Sequence, residues 1–394
     1  MSYTNGEKFL HGKNAQSSIK AILNMCKNNG YIHDYVSQYR VGKDGFSNKN
    51  QFYAPFLVNF DSGEKWAIFS TTSMRTDRIK GQQWDAANIK DINPKVKKAY
   101  LVYSDELQQK DILDFKHQNE KYLNKNEYSA IDEIISQNDF YNLIESTSMA
   151  KLNNGQIKNL QGKKFENRVA AILSDKDNLK KYESNDKTLI GVNYPIFNKI
   201  ISSLNIKEKI NEIKATADTS LIGKLPNGGN PKTDVYTIIT TDTGKKIITI
   251  SCKRSSSKNV SVHEYTANAF ADTLDPTNNT LRDLLNEFQL NPSLSSFGLA
   301  NREKLTNALQ PYLDKLTKWV LAGIGGSGDQ NKQWATHILT YDNNDNSIAF
   351  HTIDDYISAL HANGVRGHFG TVFHWTYPSK KRGKSIQLKC KIIK

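Results

Sequence analysis

Cysteine is scarce in this chain, with Cys26, Cys252 and Cys390 alone among 394 residues. They form no Cys-x-x-Cys pair, which argues against a structural zinc site, and they supply no framework for a disulfide-stapled fold. Long apolar runs are absent as well. No stretch approaches the ~18–20 apolar residues of a membrane span, and the polar start Met1–Lys13 lacks the apolar core of a secretory signal. These absences predict a reduced, cytoplasmic protein with no membrane partner. There is no internal repeat. Acidic residues are in deficit: 40 Asp and Glu face 53 Lys and Arg, a net charge of +13 with a pI of about 9.3. Such an excess points to a polyanionic partner, nucleic acid first and an anionic membrane surface second, although a plain basic enzyme would show the same balance.

Hydrophobic residues make up 38% of the chain, enough for real cores and against wholesale disorder. The length favours two domains. We place them at 1–147 and 148–394, divided within the polar stretch Ser146–Gly155. In the first, an α+β unit of unassigned role, a helix is expected near Ser17–Asn28. Strands are expected at Phe52–Phe60, Lys65–Thr71 and Lys98–Tyr103, and a charged helix from Asp105 to about Gln137. Trp84 sits in the polar stretch Thr71–Lys90 and reads as a core tryptophan, with a second DNA-binding surface as the rival reading.

In the second, Phe165, Val169, Ile172 and Leu173 recur at helical spacing, so Gln161–Ser174 is an amphipathic helix. A loop rich in Gly and Pro, Leu221–Pro231, leads into a hairpin: strand Val235–Thr241, turn Thr241–Gly244, strand Lys245–Lys253. Helices are expected at Val262–Asp272, Leu281–Phe288 and Asn301–Leu321, and strands at Thr336–Tyr341 and Ser347–Ile353.

The hairpin carries the chemistry. Asp234 opens its first strand. On the second, side chains alternate between faces: Ile248, Ile250 and Cys252 form an apolar face, while Thr249, Ser251 and Lys253 share the other. Asp234 therefore meets Ser251 and Lys253. Phosphodiester hydrolysis uses a cation to neutralise developing charge and activate water. Magnesium takes hard oxygen ligands, often one or two carboxylates with water and phosphate, and a nearby lysine binds phosphate or assists the water. By itself, a hairpin with one acid and one lysine is a common surface feature.

The wider sequence adds specificity. The blocks Gly228–Asp234, Ser255–Tyr265, Ile353–Tyr356, Phe369–Thr371 and Trp375–Tyr377 occur in one order over the C-terminal two-thirds. Together with the hairpin they resemble the PD-(D/E)xK nuclease fold, and within it the MspI/BsuFI-type restriction endonucleases. The resemblance implies an α/β fold with a mixed central sheet flanked by helices. It also implies a type II, magnesium-dependent endonuclease that cuts both strands of duplex DNA at CCGG, working beside a companion DNA methyltransferase as a monomer or dimer. Position by position, Asp234 matches the metal-binding aspartate, Lys253 the catalytic lysine and Glu166 a helical glutamate of the metal shell. Ser251 occupies the usual acidic position. A hydroxyl is a poorer cation ligand than a carboxylate, which shifts the metal toward Asp234, the Cys252 carbonyl, water and phosphate. That departure keeps open a non-catalytic or structure-selective DNA-binding protein with the same fold.

Base reading needs donors and acceptors at base edges, while lysines hold phosphates. Lys253–Lys258 places Ser255, Ser256 and Lys258 just past the catalytic strand, and Lys232 lies beside Asp234. In the basic tail, Thr376, Ser379, Gln387 and Lys389 match family positions that reach bases or backbone. Other motifs carry less. Gly323–Gly328 spells GxGxxG, but a helix precedes it where a dinucleotide site needs a strand, so it reads as a loop. His263, His368 and His374 have no compact ligand spacing and read as packing or phosphate-binding residues. Cys252 reads as a small core residue.

Overall fold

The protein is described by a computed structural model covering residues 4–42, 51–73, 76–104, 129–150, 154–184, 186–378 and 381–393. The chain divides into two compact units, one of Met1–Asn159 with Ala171–Asn198, the other of Leu160–Ala170 with Lys199–Lys394. Among the described residues no helix is long and apolar enough to cross a membrane.

The first unit is built on a five-stranded sheet in sequence order: β1 (Asp34–Val41), β2 (Phe52–Asn59), β3 (Lys65–Thr71), β4 (Val96–Tyr103) and β5 (Glu133–Ser136). The first three strands pair antiparallel and the last three parallel. Helices Asn5–Asn28, Thr76–Ile92 and Gln137–Met149 accompany the sheet. Residues 105–128 of the expected charged helix lie outside the described residues. Its remainder is corrected: Ile134 and Ile135 extend as β5 beside β4, and the helix starts only at Gln137, capped by Ser136. Trp84 is also corrected. It is 66% exposed, in a T-shaped contact with Phe52, and the core of this unit is filled instead by residues such as Leu57, Phe69, Ile89 and Leu101.

The second unit holds a mixed five-stranded sheet of order β11-β10-β8-β7-β6 and a three-stranded sheet of order β12-β13-β9. The strands are β6 (Ile210–Thr216), β7 (Val235–Thr241), β8 (Gly244–Ser255), β9 (Asn259–Tyr265), β10 (His337–Asp342), β11 (Ile348–Thr352), β12 (His374–Thr376) and β13 (Ile386–Lys391). The expected hairpin is present, with Val235 opposite Ile250, and its β-branched residues suit a pleated surface. β8 also pairs in parallel with β10, so it is an interior strand. Both its edges are thus paired, and both its faces are covered as well: Thr249 and Ser251 are as buried as Ile250.

Two helix expectations are corrected. Val262–Tyr265 belongs to β9, drawn into the small sheet by β13, and the helix begins at Ala267 with Thr266 as its cap. The stretch Asn301–Leu321 is interrupted by the 3-10 turn Gln310–Tyr312, where Pro311 has no N–H to continue an α-helix. The helices Ala267–Leu274, Asn279–Leu290 and Leu313–Ala322 pack Phe270, Phe288 and Trp319 into one core with Trp375 and Leu388 of the small sheet.

Candidate active site

Asp234 sits where the Gly-rich loop enters β7, and its N–H donates to the Ile250 carbonyl of β8 at 2.9 Å. That pairing fixes its side chain over the next residues of β8. Its Oδ2 accepts from the Cys252 amide at 2.7 Å, from the Ser251 hydroxyl at 3.3 Å and from the Lys253 ammonium at 3.3 Å. The same ammonium donates to the Cys252 carbonyl at 3.1 Å. Lys253 therefore bridges the two oxygen groups expected to face a cation. Burial, the largest single influence, acts to lower Lys253, but Asp234, Cys252 and Glu166 together, with the hydrogen bond to Asp234, outweigh it and hold the ammonium above its ordinary range.

Glu166 joins this cluster from the helix Asn154–Leu173. Its neighbour Phe165 packs on Tyr341 of β10 with ring centroids 5.3 Å apart, and the Arg254 guanidinium lies over both rings. Burial, then the Asp234 charge, push the Glu166 carboxyl up to about 8 against the pull of Lys253 and Lys163. Cys252 is an inert core thiol as expected, raised well above its usual range by burial first and by Asp234 and Glu166 next.

A groove of about 480 Å³ connects this cluster to the small sheet. It is lined by Lys232, Asp234 and Lys253 on one side and by Ser261, Glu264, Lys381 and Gln387 on the other. Gln387 lies opposite Thr376 of β12 and Glu264 of β9, and Lys389 lies opposite His374 and Ser261. Alternation keeps Gln387 and Lys389 on one face of β13, half-buried, while Ile386, Leu388 and Cys390 enter the core. The structure thus brings Asp234, Ser251, Lys253, Glu166 and the Cys252 carbonyl together, and sets Gln387 on the same groove. Ser255, Ser256 and Lys258 lie elsewhere, at the end of β8 and in the turn to β9. Ser379 lies outside the described residues.

Lys232 lines the groove, but its ammonium is buried and donates to the Val262 carbonyl at 2.5 Å. Burial first, then the Lys253 charge, hold it well below the ordinary lysine range. Several groove residues escaped the sequence reading. Glu264 accepts from Lys381 at 2.8 Å and from the Ser385 hydroxyl at 3.4 Å. Only a strand at Val262–Tyr265 would have revealed it, by setting Glu264 on the face opposite His263 and Tyr265; the expected helix concealed it. His263 packs between Tyr265 and Trp319 and is kept neutral by burial, which is packing, one of the two roles expected of it.

The other matched blocks hold the small sheet in place. The buried Tyr356 hydroxyl donates to the Lys391 carbonyl at 2.8 Å, and the Trp375 indole donates to the Thr371 hydroxyl at 3.1 Å. The Gly323–Gly328 loop follows a helix, with Gly323 in the left-handed conformation that ends it, so it is a helix terminus and not a dinucleotide turn.

A mixed sheet whose neighbouring strands juxtapose an aspartate and a lysine, with a helical glutamate alongside, defines the class: a restriction-endonuclease-like, PD-(D/E)xK fold. More particularly, the chain belongs to the MspI restriction endonuclease family, whose model matches residues 141–390, and is accordingly a type II restriction enzyme. It is 28% identical over 404 residues to the type II restriction enzyme BsuFI of Bacillus subtilis, covering 99% of both chains. It is 26% identical over 235 residues to the type II restriction enzyme MspI of Moraxella sp, covering 58% of this chain and 88% of that relative. Restriction endonuclease MspI in complex with its cognate DNA is a structural neighbour, with a TM-score of 0.52 and 25% identity over 63% of this chain and 97% of that one.

Proposed function

We propose that this chain cleaves both strands of duplex DNA at CCGG in a magnesium-dependent reaction. The observation that carries the reading is the Lys253 ammonium held at 3.3 Å from Asp234 and 3.1 Å from the Cys252 carbonyl, in one groove with Gln387.

The residues fit a magnesium ion. Among the described residues no cluster of three His, Cys, Asp or Glu side chains could hold a metal by itself. Magnesium, however, commonly takes only one or two carboxylates and completes its shell with water and substrate phosphate. Asp234 and the Cys252 carbonyl would hold it, with Glu166 beside them. Such an ion would neutralise charge developing on the phosphate and lower the pKa of a bound water. Lys253, released from its present partners, would donate to a non-bridging phosphate oxygen and orient the attacking water. Ser251 would keep Asp234 in place through its hydroxyl. Gln387, Lys389 and Thr376 would read the bases, and Lys232 would support the loop that carries Asp234.

The charge distribution supports a DNA substrate. Residues 148–394 contain 34 Lys and Arg against 22 Asp and Glu, +12 of the chain's +13. The basic excess thus belongs to the part that carries the groove. A cytoplasmic location and a companion DNA methyltransferase protecting the host complete the reading.

Ser251 in the acidic position favours a second reading, a DNA-binding protein that keeps the fold without cutting. Digestion of a long duplex with magnesium, followed by sequencing of the ends, separates them. Reproducible ends within CCGG are expected. Intact DNA across a range of divalent metals would leave the non-catalytic reading, and cleavage restricted to branched or damaged DNA would leave a structure-selective nuclease.

A further inference from the structure

The groove and its chemistry leave residues 4–104 unused. They precede the MspI family match, which begins at residue 141, yet the similarity to BsuFI runs through them. In this unit the helix Asn5–Asn28, strands β1 to β3 and the helix Thr76–Ile92 wall a second groove of about 540 Å³. Its charged lining is Lys8, Lys13 and Arg78, and no carboxylate lines it. Composition does not explain this. Residues 1–140 contain 19 Lys and Arg against 17 Asp and Glu, so an arbitrary patch of that surface would mix both signs. The three cations come from two helices far apart in sequence and converge on one concavity. None of them is in an ion pair with another described residue.

The rest of the lining is suited to hydrogen bonding. Gln16, Gln38, Tyr53, Thr72 and Gln82 present amides and hydroxyls. Gln38 is in the left-handed backbone region, with φ of 57°, facing Pro55 across the β1–β2 pair, and Tyr53 donates to its Oε1 at 3.1 Å. Pro55 has no N–H to offer the ladder, which accounts for the break in pairing there. A non-glycine residue held in this region is strained, and such strain gathers at binding surfaces.

We propose that this groove is a second DNA-binding surface, which holds the phosphodiester backbone of the duplex away from the recognised base pairs and adds affinity without adding sequence preference. The inference rests on the duplex-DNA reading above. Cations with neutral amides and hydroxyls, and no acid, are the groups that bind phosphate and sugar oxygens. An anionic bilayer is the poorer fit. It calls for a continuous apolar face beside the basic one, whereas this surface is concave and mainly polar, with Phe9 at 72% exposure its one prominent apolar side chain.

The test uses the full-length chain and the variant Lys8→Ala/Lys13→Ala/Arg78→Ala, binding a duplex of about 40 base pairs with one CCGG, in chelator and at several salt concentrations. Each lost phosphate contact makes the slope of log K against log salt shallower by about 0.9, so the variant's slope should fall by roughly 2–3. Its cleavage of a duplex barely longer than the site should be unchanged. A second variant, Gln16→Lys, adds a cation to the lining and should steepen the slope by roughly 1, which keeps the test decisive if the triple variant does not fold. Unchanged slopes in both variants would overturn the proposal while leaving specific cleavage, and hence the main reading, standing. Loss of binding to phosphatidylserine vesicles with no change on DNA would overturn it in favour of a lipid surface. A wild-type chain that neither binds nor cuts CCGG duplex would remove both readings.

Discussion

The Lys253 ammonium and the Asp234 carboxylate lie 3.3 Å apart, and the ammonium simultaneously bonds the carbonyl of the residue before it. Lysine here is the counter-cation of the oxygens that we propose hold magnesium, and in that proposal each partner would exchange this pairing for ion and phosphate. Asp234→Asn and Lys253→Met should both lower single-turnover cleavage by at least about 10²–10³, the scale for losing one preorganised electrostatic partner. Affinity for CCGG duplex should stay within a few-fold of wild type. Either variant cutting at the wild-type rate would remove these residues from the chemistry.

Glu166 supplies a pH signature. Its carboxyl is pushed from 4.5 up to about 8, by burial first and Asp234 second. Between those values the native chain holds a proton that the unfolded chain has released, so stability falls as pH rises. The contribution is fully present below about pH 4.5 and is lost as pH passes through about 8. Glu166→Gln keeps a neutral side chain throughout. In urea unfolding with chelator, wild type should lose stability relative to Glu166→Gln from pH 5 to 8. Parallel profiles would mean that the buried carboxyl is ordinary.

Gln387 shares its groove with Asp234 and Lys253, and its backbone is held by β9 and β12 on either side. Gln387→Ala should therefore leave the fold intact and weaken CCGG binding by about 1–3 kcal/mol, roughly 5- to 150-fold, with non-specific binding unchanged. An equal loss on both kinds of DNA would make Gln387 a backbone contact.

Tyr356 is fully buried, and its hydroxyl holds the end of β13 through the Lys391 carbonyl. Tyr356→Phe leaves that carbonyl without this donor and should cost about 1–2 kcal/mol. The loss should show as a lower denaturant midpoint with an unchanged slope. A midpoint equal to wild type would indicate that the carbonyl finds another donor.

The hairpin was legible because its information is local. Val235–Thr241 and Lys245–Lys253 are β-branched runs around a short turn, and pairing Val235 with Ile250 brings Asp234 to Cys252 without any distant contact. The helix bearing Glu166 was legible for the same reason, through the spacing of its apolar residues. The segment Val262–Tyr265 was not. It carries no helical or strand pattern strong enough to decide its state, and it is a strand because β13, more than 120 residues later, supplies its hydrogen bonds. Trp84 misled because an aromatic residue is a poor indicator of burial when nothing distant covers it.

By itself, the sequence determined the residue types of the Asp234–Lys253 cluster, the strands that present them and, through its ordered blocks, the family. Tertiary structure decided what those residues face. β8 is paired on both edges by β7 and β10 and Ser251 is fully buried, with its hydroxyl turned to Asp234. Folding β9 onto β13 brought Glu264 and Gln387 into one groove with Lys253. Drawing Lys8, Lys13 and Arg78 into one acid-free concavity likewise needed the whole unit. Local pattern specifies backbone state because its hydrogen bonds and alternation lie within a few residues, whereas burial and charge environment are sums over neighbours that only the folded chain supplies.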